Sequence, residues 1–337
     1  MGIIEHKVSA RAGLIGNPSD GYGGKTIAVP VRNFSAAVRL WERPDRIVIP
    51  HDESEFDSIE QLFEYTSTKG FYDAGRLVKA AIAVFFEHLL NTNKKFTRKK
   101  FEIDYETSIP RMVGLAGSSA IIAGTMKCLQ DFYDVKIKPE IQANLILASE
   151  TEKLGISAGL QDRVVQSFDD LICMDFSEQA FASNNGKYGH YEVLDKHLLP
   201  NLYLLYHANP SESGRIHSNI GARYHNQDPE VSKPVKAAMK QFANLTDQFR
   251  KALSKRDSQK CAQLQNQNFD LRRELCGEEI IGEDNLEMIT LPREVGCSSK
   301  FSGSGGAVIG VFPNESYYQE IKEKIKHKPY KLERVIF

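Results

Sequence analysis

The sequence predicts an α+β protein in which strands and helices are mixed in layers rather than wound as a regular parallel sheet. Three observations carry that prediction. Strand-like and helix-like patterns follow one another without a βαβ rhythm. Helical stripes are long and apolar, as where Ile122, Met126, Leu129 and Tyr133 step by four, three and four. At 337 residues, 41% apolar and 26% charged, the chain is large enough for one big domain or two ordinary ones.

The elements follow in order. "KVSARAGLIGNPSDGYGGKTIAVPVRNFSAAVRLW" is rich in β-formers and turn residues. It predicts strands near 26–33 and 34–41, joined by turns. Leu77, Ala80, Ala81, Val84, Phe85 and Leu89 share one face of a helix over about 72–90. "FEIDYETSIP" alternates Phe101, Ile103 and Tyr105, a half-buried strand ended by Pro110. The Ile122 stripe is a buried helix, and another helix covers about 139–153. "LGISAGLQDRVVQSF" is a loop entering a further helix. Strands return over 168–207, and 229–275 is polar, charged and helical. "KFSGSGGAVIGVF" is a glycine loop running into a strand, and the tail is a helix and a short strand. The weakest join, at 177–197, divides the chain into expected domains 1–195 and 196–337.

Composition excludes several classes. Formal net charge is −1, so nothing draws the chain as a whole to nucleic acid or an anionic membrane. The run "KKFTRKK" (94–100) has five cations in seven residues but no companion patch, and reads as a solvated loop. The first residues lack a signal-peptide pattern, and no apolar run approaches the roughly 18–20 residues that span a bilayer. Five scattered cysteines without a CxxC argue against a disulfide framework or a thiolate zinc site. They fit a reduced, cytoplasmic compartment. The nine histidines show no ligand pairing, which leaves oxygen-held magnesium as the metal to expect.

The chemistry-bearing stretch is "GLAGSSA", Gly114 to Ala120, between a strand and a helix. A Gly/Ser loop there points free backbone N–H groups from a helix N-terminus, a geometry that binds anions. Gly114 and Gly117 would let a phosphate approach, and Ser118 or Ser119 could cap the helix or reach a metal. A serine-capped helix without ligand explains the loop equally well. "GGKT" at 23–26 imitates a P-loop, but the pattern needs glycine at 19, where Ser19 stands. A GxGxxG is absent too. A second glycine loop, "SGSGGA" (302–307), suggests two backbones approaching one ligand, or only a tight turn beside a strand.

Three stretches, "ARAGLIGNPSD", "IPRMVGLAGSSA" and "KFSGSGGAVIG", occur in the order and rough spacing of the signatures of the GHMP small-molecule kinases. The chain resembles that family over most of its length. Ala116 departs from the usual Gly-Leu-Gly-Ser-Ser. The extra residue resembles the glucuronokinase branch, as do "AGLQDRV", "NPSESGRIHS" and "NFDLRREL". That branch makes glucuronate 1-phosphate from glucuronate and ATP.

The resemblance implies a two-domain fold. The N-terminal domain would be like the second domain of ribosomal protein S5, and the C-terminal domain ferredoxin-like. It implies that Pro110 and Gly114, Leu115, Ala116, Gly117, Ser118, Ser119 and Ala120 wrap the ATP phosphates. Ser119 and Glu150 would ligate Mg2+; Glu150 precedes Asp162 by twelve residues, as the acidic ligand does in galactokinases. Asp162 would be the catalytic aspartate and Arg11 the basic residue at the reacting hydroxyl. Arg11, Asn17, Asp20, Lys25, Asp162, Arg215, Gly303, Ser304 and Gly305 would contact the sugar. A uronate carboxylate wants a cation, and Lys25, Arg163, Arg215 and Lys300 are the candidates in or beside the motifs. Galacturonate, fucose or a heptose phosphate remain as alternative acceptors, and a non-catalytic sensor of sugar and nucleotide as the alternative class.

Overall fold

The computed structural model describes residues 2–209 and 219–337. The chain forms two compact units. The first comprises Met1–Ala10, Phe34–Ile109 and Ala116–Asp169; the second comprises Arg11–Asn33, Pro110–Leu115 and Asp170–Phe337. Strands β1 (Ile4–Ile15) and β2 (Lys25–Arg43) contribute residues to both.

In the first unit follow β3 (Ile47–Ile49), β4 (Ser54–Phe56), α1 (Ile59–Lys69), α2 (Arg76–Asn91), β5 (Lys100–Thr107), α3 (Gly117–Phe132), α4 (Pro139–Ala148) and α5 (Gln161–Phe168). The distal half of β2 pairs antiparallel with β5 from Ala36↔Thr107 to Arg43↔Lys100. β3 lies parallel to β5 and antiparallel to β4. Phe101 and Ile103 are buried as the alternation predicts, while Tyr105 is half-buried and stacks on His51 at 3.8 Å between ring centres. α2 is buried on nearly every side, Lys79 included, so its burial exceeds the predicted stripe. At Gly124 of α3 a Cβ would lie 2.5 Å from a Val38 methyl, so only glycine lets that helix close on its strand.

Lys79 is a fully buried cation. Its Nζ donates to Asp52 Oδ2 and Asp73 Oδ2, each at 2.6 Å, and to Ser54 Oγ at 2.8 Å. The same ammonium sits 4.9 Å from the Tyr65 ring centre. One side chain therefore ties α2 to the segment before β4 and to its own N-terminal approach.

In the second unit follow β6 (Ile172–Asp175), α6 (Glu178–Ala182), β7 (His190–Val193), β8 (Leu202–His207), α7 (Ile220–Tyr224), α8 (Pro229–Ser254), α9 (Ser258–Cys276), α10 (Glu278–Ile281), α11 (Glu283–Glu294), β9 (Lys300–Phe301), β10 (Ala307–Val311), α12 (Glu315–Lys324) and β11 (Tyr330–Arg334). The near half of β2 pairs with β6, which pairs with β7. An antiparallel sheet runs β11-β8-β10-β9. Its core joins Tyr203, Leu205 and Val308 to Phe242 of α8 and Phe269 of α9.

Two expectations change. The strands expected at 26–33 and 34–41 are one strand, β2. Pro30 and Asn33 read as breakers, yet they lie where β2 changes partner from β6 to β5. Arg32 N and Asn33 Nδ2 bond the carbonyls of Ile336 and Arg334 there. β1 escaped notice because its buried half, "SARAGLI", mixes small and charged residues. Among the described residues, no helix is long and apolar enough to cross a membrane.

Candidate functional site

In the first unit the site begins at Ala116, whose backbone is left-handed (φ 64°). That conformation costs a non-glycine residue roughly 1–2 kcal/mol. Three donors hold the Ala116 carbonyl in return: Ala120 N at 3.1 Å, Ser119 Oγ at 3.2 Å and Gln166 Nε2 at 2.9 Å. The turn starts α3 abruptly at Gly117 with no side-chain cap, so its first N–H groups point off the helix end.

Ser118 Oγ donates to Glu150 Oε1 at 2.7 Å. Glu150 is fully buried in a wide π-type turn, Ser149–Lys153, at the end of α4. Such turns displace side chains and recur at functional sites. Arg163 of α5 donates through Nε to Glu150 Oε2 at 2.6 Å, and its Nη2 contacts the same oxygen. Arg163 Nη1 lies 3.3 Å from Asp162 Oδ2, and Gln161 Nε2 lies 3.5 Å from Asp162 Oδ1. A buried carboxylate needs such a partner. Asp162 keeps 18% of its side chain exposed, so it alone of the two acids reaches solvent.

The two serines have different partners. Ser118, not Ser119, faces Glu150; the buried Ser119 hydroxyl bonds the Ala116 carbonyl. Neighbouring helix residues point about 100° apart, so one serine at a time can face Glu150. A hydroxyl and a carboxylate oxygen 2.7 Å apart are the hard donors that suit Mg2+. Among the described residues no group of three or more His, Cys, Asp or Glu could hold a metal by itself.

In the second unit the two glycine loops touch. A Cβ on Gly303 would lie 2.4 Å from the Gly114 carbonyl oxygen, and one on Gly114 would lie 2.9 Å from that of Gly305. Arg11 is buried beside them. Its N–H donates to Leu115 O at 3.2 Å, and its Nη1 donates to Ser302 O at 2.6 Å. Pro110, Gly114 and Leu115 thus lie with Arg11, Gly303, Ser304 and Gly305 in one unit. Asn17 is buried, its Nδ2 donating to Phe301 O at 3.4 Å, and Asp20 stands half-buried in the short turn Ser19–Tyr22.

The expected carboxylate-binding cations fare differently. Lys25 Nζ is 3.1 Å from both oxygens of Asp247 and 3.5 Å from Asp175. Arg163 is taken up by Glu150 and Asp162. Arg215 lies outside the described residues. Lys300 is fully buried, donating to Gly13 O at 2.7 Å and Phe301 O at 2.6 Å. Burial pushes its amine well below the ordinary value, and Arg272 and Arg11 push it further.

Sequence reasoning missed the buried polar face of α9. Gln265 Nε2 donates to Leu14 O; Asn268 accepts from Gly16 N and donates to Asn17 O; Arg272 Nη1 donates to Gly303 O at 2.8 Å. These residues are spaced by three and four, a polar stripe on one helix face within a segment that the sequence marks only as polar, charged and helical. The basic run 94–100 is bound locally: Lys94 and Lys100 donate to the carbonyls of Lys136 and Asp45.

A family model of the GHMP kinases N terminal domain matches residues 76–169. "Glucuronokinase 1" of Arabidopsis thaliana is 40% identical over 317 residues, covering 92% of this chain and 85% of its own. "Probable glucuronokinase 2" of the same plant is 41% identical over 319 residues, covering 93% and 85%. Lactococcus lactis galactokinase complexed with galactose shares the fold, with a TM-score of 0.75 at 15% identity over 99% of this chain and 93% of its own.

Proposed function

The chain belongs to the GHMP kinase family and is a kinase, and on that premise we propose that it transfers phosphate from ATP to the anomeric hydroxyl of D-glucuronate. The observation that carries the choice of sugar is the likeness to two plant glucuronokinases across more than nine-tenths of the chain. The presence of both Asp162 and Glu150 favours an enzyme over a sensor.

Phosphoryl transfer needs positioning and charge neutralisation more than covalent chemistry. The first-turn N–H groups of α3, at Gly117, Ser118 and Ser119, receive the ATP phosphates, and the helix dipole favours their charge. Gly114, Leu115, Ala116 and Ala120 shape that loop, and Pro110 leads the chain into it. In this reading Ser118 and Glu150 would hold Mg2+, in place of the Ser119 and Glu150 that the resemblance implies. When bound, the ion offsets the phosphate charge that builds during transfer.

Asp162 accepts a hydrogen bond from the anomeric hydroxyl, orients it, and takes its proton as the oxygen–phosphorus bond forms. Arg163, fixed by Glu150, holds that carboxylate in place. A carboxylate is a weak base for an alcohol, so Arg11 contributes by stabilising alkoxide character on the attacking oxygen. Asn17 and Asp20 receive sugar hydroxyls, and the Gly303, Ser304 and Gly305 backbone lies close to substrate. The functional domains are taken as 1–195 and 196–337. Five free cysteines suit a cytoplasmic location.

Coupled ADP release across a sugar panel tests this. Glucuronate is expected to give the highest kcat/KM. Faster turnover of galacturonate, fucose or a heptose phosphate would move the assignment to that sugar, and no turnover with any sugar would remove the catalytic reading.

A further inference from the structure

We propose that Arg272, on the buried polar face of α9, is the residue that receives the carboxylate of the sugar acid. The proposal rests on the glucuronate reading above and deepens it.

Arg272 is 5% exposed, and among the described residues no carboxylate lies within ion-pair distance of it. Its Nη1 donates to Gly303 O, its guanidinium lies 5.2 Å from the Phe301 ring centre, and its Nε is buried without a hydrogen-bond partner. Burial disfavours its charged form, while the Cys276 side chain one turn on and the Asp20 carboxylate favour it. An uncompensated buried cation is costly unless something else benefits from it.

Its neighbours raise that cost. Arg11 Nη1 and Arg272 Nη1 bond successive carbonyls, Ser302 and Gly303, and Lys300 Nζ bonds the carbonyl before them, Phe301. Two guanidinium groups and an amine thus converge on one glycine turn, and burial with the two guanidinium groups holds that amine well below its ordinary value. An anion beside Arg272 would offset the guanidinium charge, and a planar fork suits a carboxylate best.

A second unpartnered atom specifies the ligand further. Asn17 Oδ1 is buried without a partner, while its Nδ2 is fixed by Phe301 O. Asn268, one turn before Arg272 on α9, holds the Asn17 carbonyl. The same turn thus offers an idle donor for an anion and an idle acceptor for a hydroxyl. A molecule carrying both, a hydroxylated carboxylic acid, satisfies the two together. Among the described residues the other candidate cations near the motifs are engaged: Lys25 with Asp247 and Asp175, Arg163 with Glu150 and Asp162.

The experiment is calorimetric titration of wild type and Arg272→Gln with glucuronate and with glucuronamide, its neutral analogue. Arg272→Gln is expected to weaken glucuronate binding by about 10- to 150-fold, the worth of a charged hydrogen bond. Glucuronamide affinity is expected to stay within about threefold. Turnover should show the same split, with KM for glucuronate rising and kcat nearly kept. Arg272→Lys, which keeps the charge but not the fork, is expected to fall between, and carries the test if the glutamine variant does not fold. Equal loss for both ligands would show that Arg272 only braces the glycine loop, and an unchanged glucuronate affinity would remove it from the site; either overturns the proposal. If wild type binds neither ligand, the glucuronate reading itself fails.

Discussion

Asp162→Ala is expected to lower kcat by about 10²- to 10⁴-fold, the usual contribution of a positioned acid–base group. Nucleotide affinity should stay within about threefold. The separation follows from geometry. In the proposed reading the nucleotide takes the N-terminus of α3, where Ser118 bonds Glu150. Glu150 is held by two nitrogens of Arg163 and does not depend on the Asp162 side chain. Removing Asp162 takes one carboxylate from Arg163 but leaves its bonds to Glu150 and the Gly159 carbonyl. A coupled assay gives kcat and calorimetry with an ATP analogue gives affinity. Near-normal turnover would remove Asp162 from the chemistry, whereas loss of both quantities together would make it a structural residue.

Lys79→Met is expected to destabilise the first unit by about 3–5 kcal/mol at pH 7, because it strands two carboxylates around an apolar side chain. The pH dependence gives the test its sign. Burial raises the Asp52 carboxyl, but hydrogen bonds from Lys79, Asp73 and Ser54 outweigh it and bring the group down to about 2. A depressed carboxyl stabilises the fold above its unfolded pKa, near 4, and that contribution fades as pH falls toward 2. Asp73 is raised, by burial first and by Asp52, against the pull of Lys79. In the variant neither acid has its cation, so both favour the protonated form when folded. The variant should therefore gain on the wild type as pH falls from 7 to 4. Denaturant midpoints at several pH values measure this. A constant difference would assign the loss to packing alone.

Much of the proposed catalytic arrangement was legible because it is local. The loop before α3, the twelve-residue step from Glu150 to Asp162, and the glycine run ahead of β10 each lie within one short stretch of chain. Long-range geometry was not. Ser118 and Ser119 are equivalent in sequence, and the wide turn carrying Glu150, 32 residues on, decides which one faces it. Arg272 looked like one more charge on a polar helix; only the burial of Gln265, Asn268 and Arg272 together shows that the polar face points inward. Lys79 occupied a position between apolar residues where a lysine usually marks solvent, and its two carboxylates come from Asp52 and Asp73 in separate segments. The single strand β2 was hidden because breaker residues marked a change of pairing partner rather than an end.

Ala116 is the residue where local and family readings meet. It interrupts the usual motif, and in the fold it takes a conformation that glycine adopts without strain. Its carbonyl, rather than its side chain, explains the position, since three donors converge on it.

Phosphate transfer to the anomeric oxygen of glucuronate can be followed by phosphorus NMR of the reaction with ATP and Mg2+. A new sugar phosphate resonance coupled to the anomeric proton is expected, growing in step with ADP. ADP formation without that resonance, or a phosphate coupled to a proton elsewhere on the ring, would contradict it.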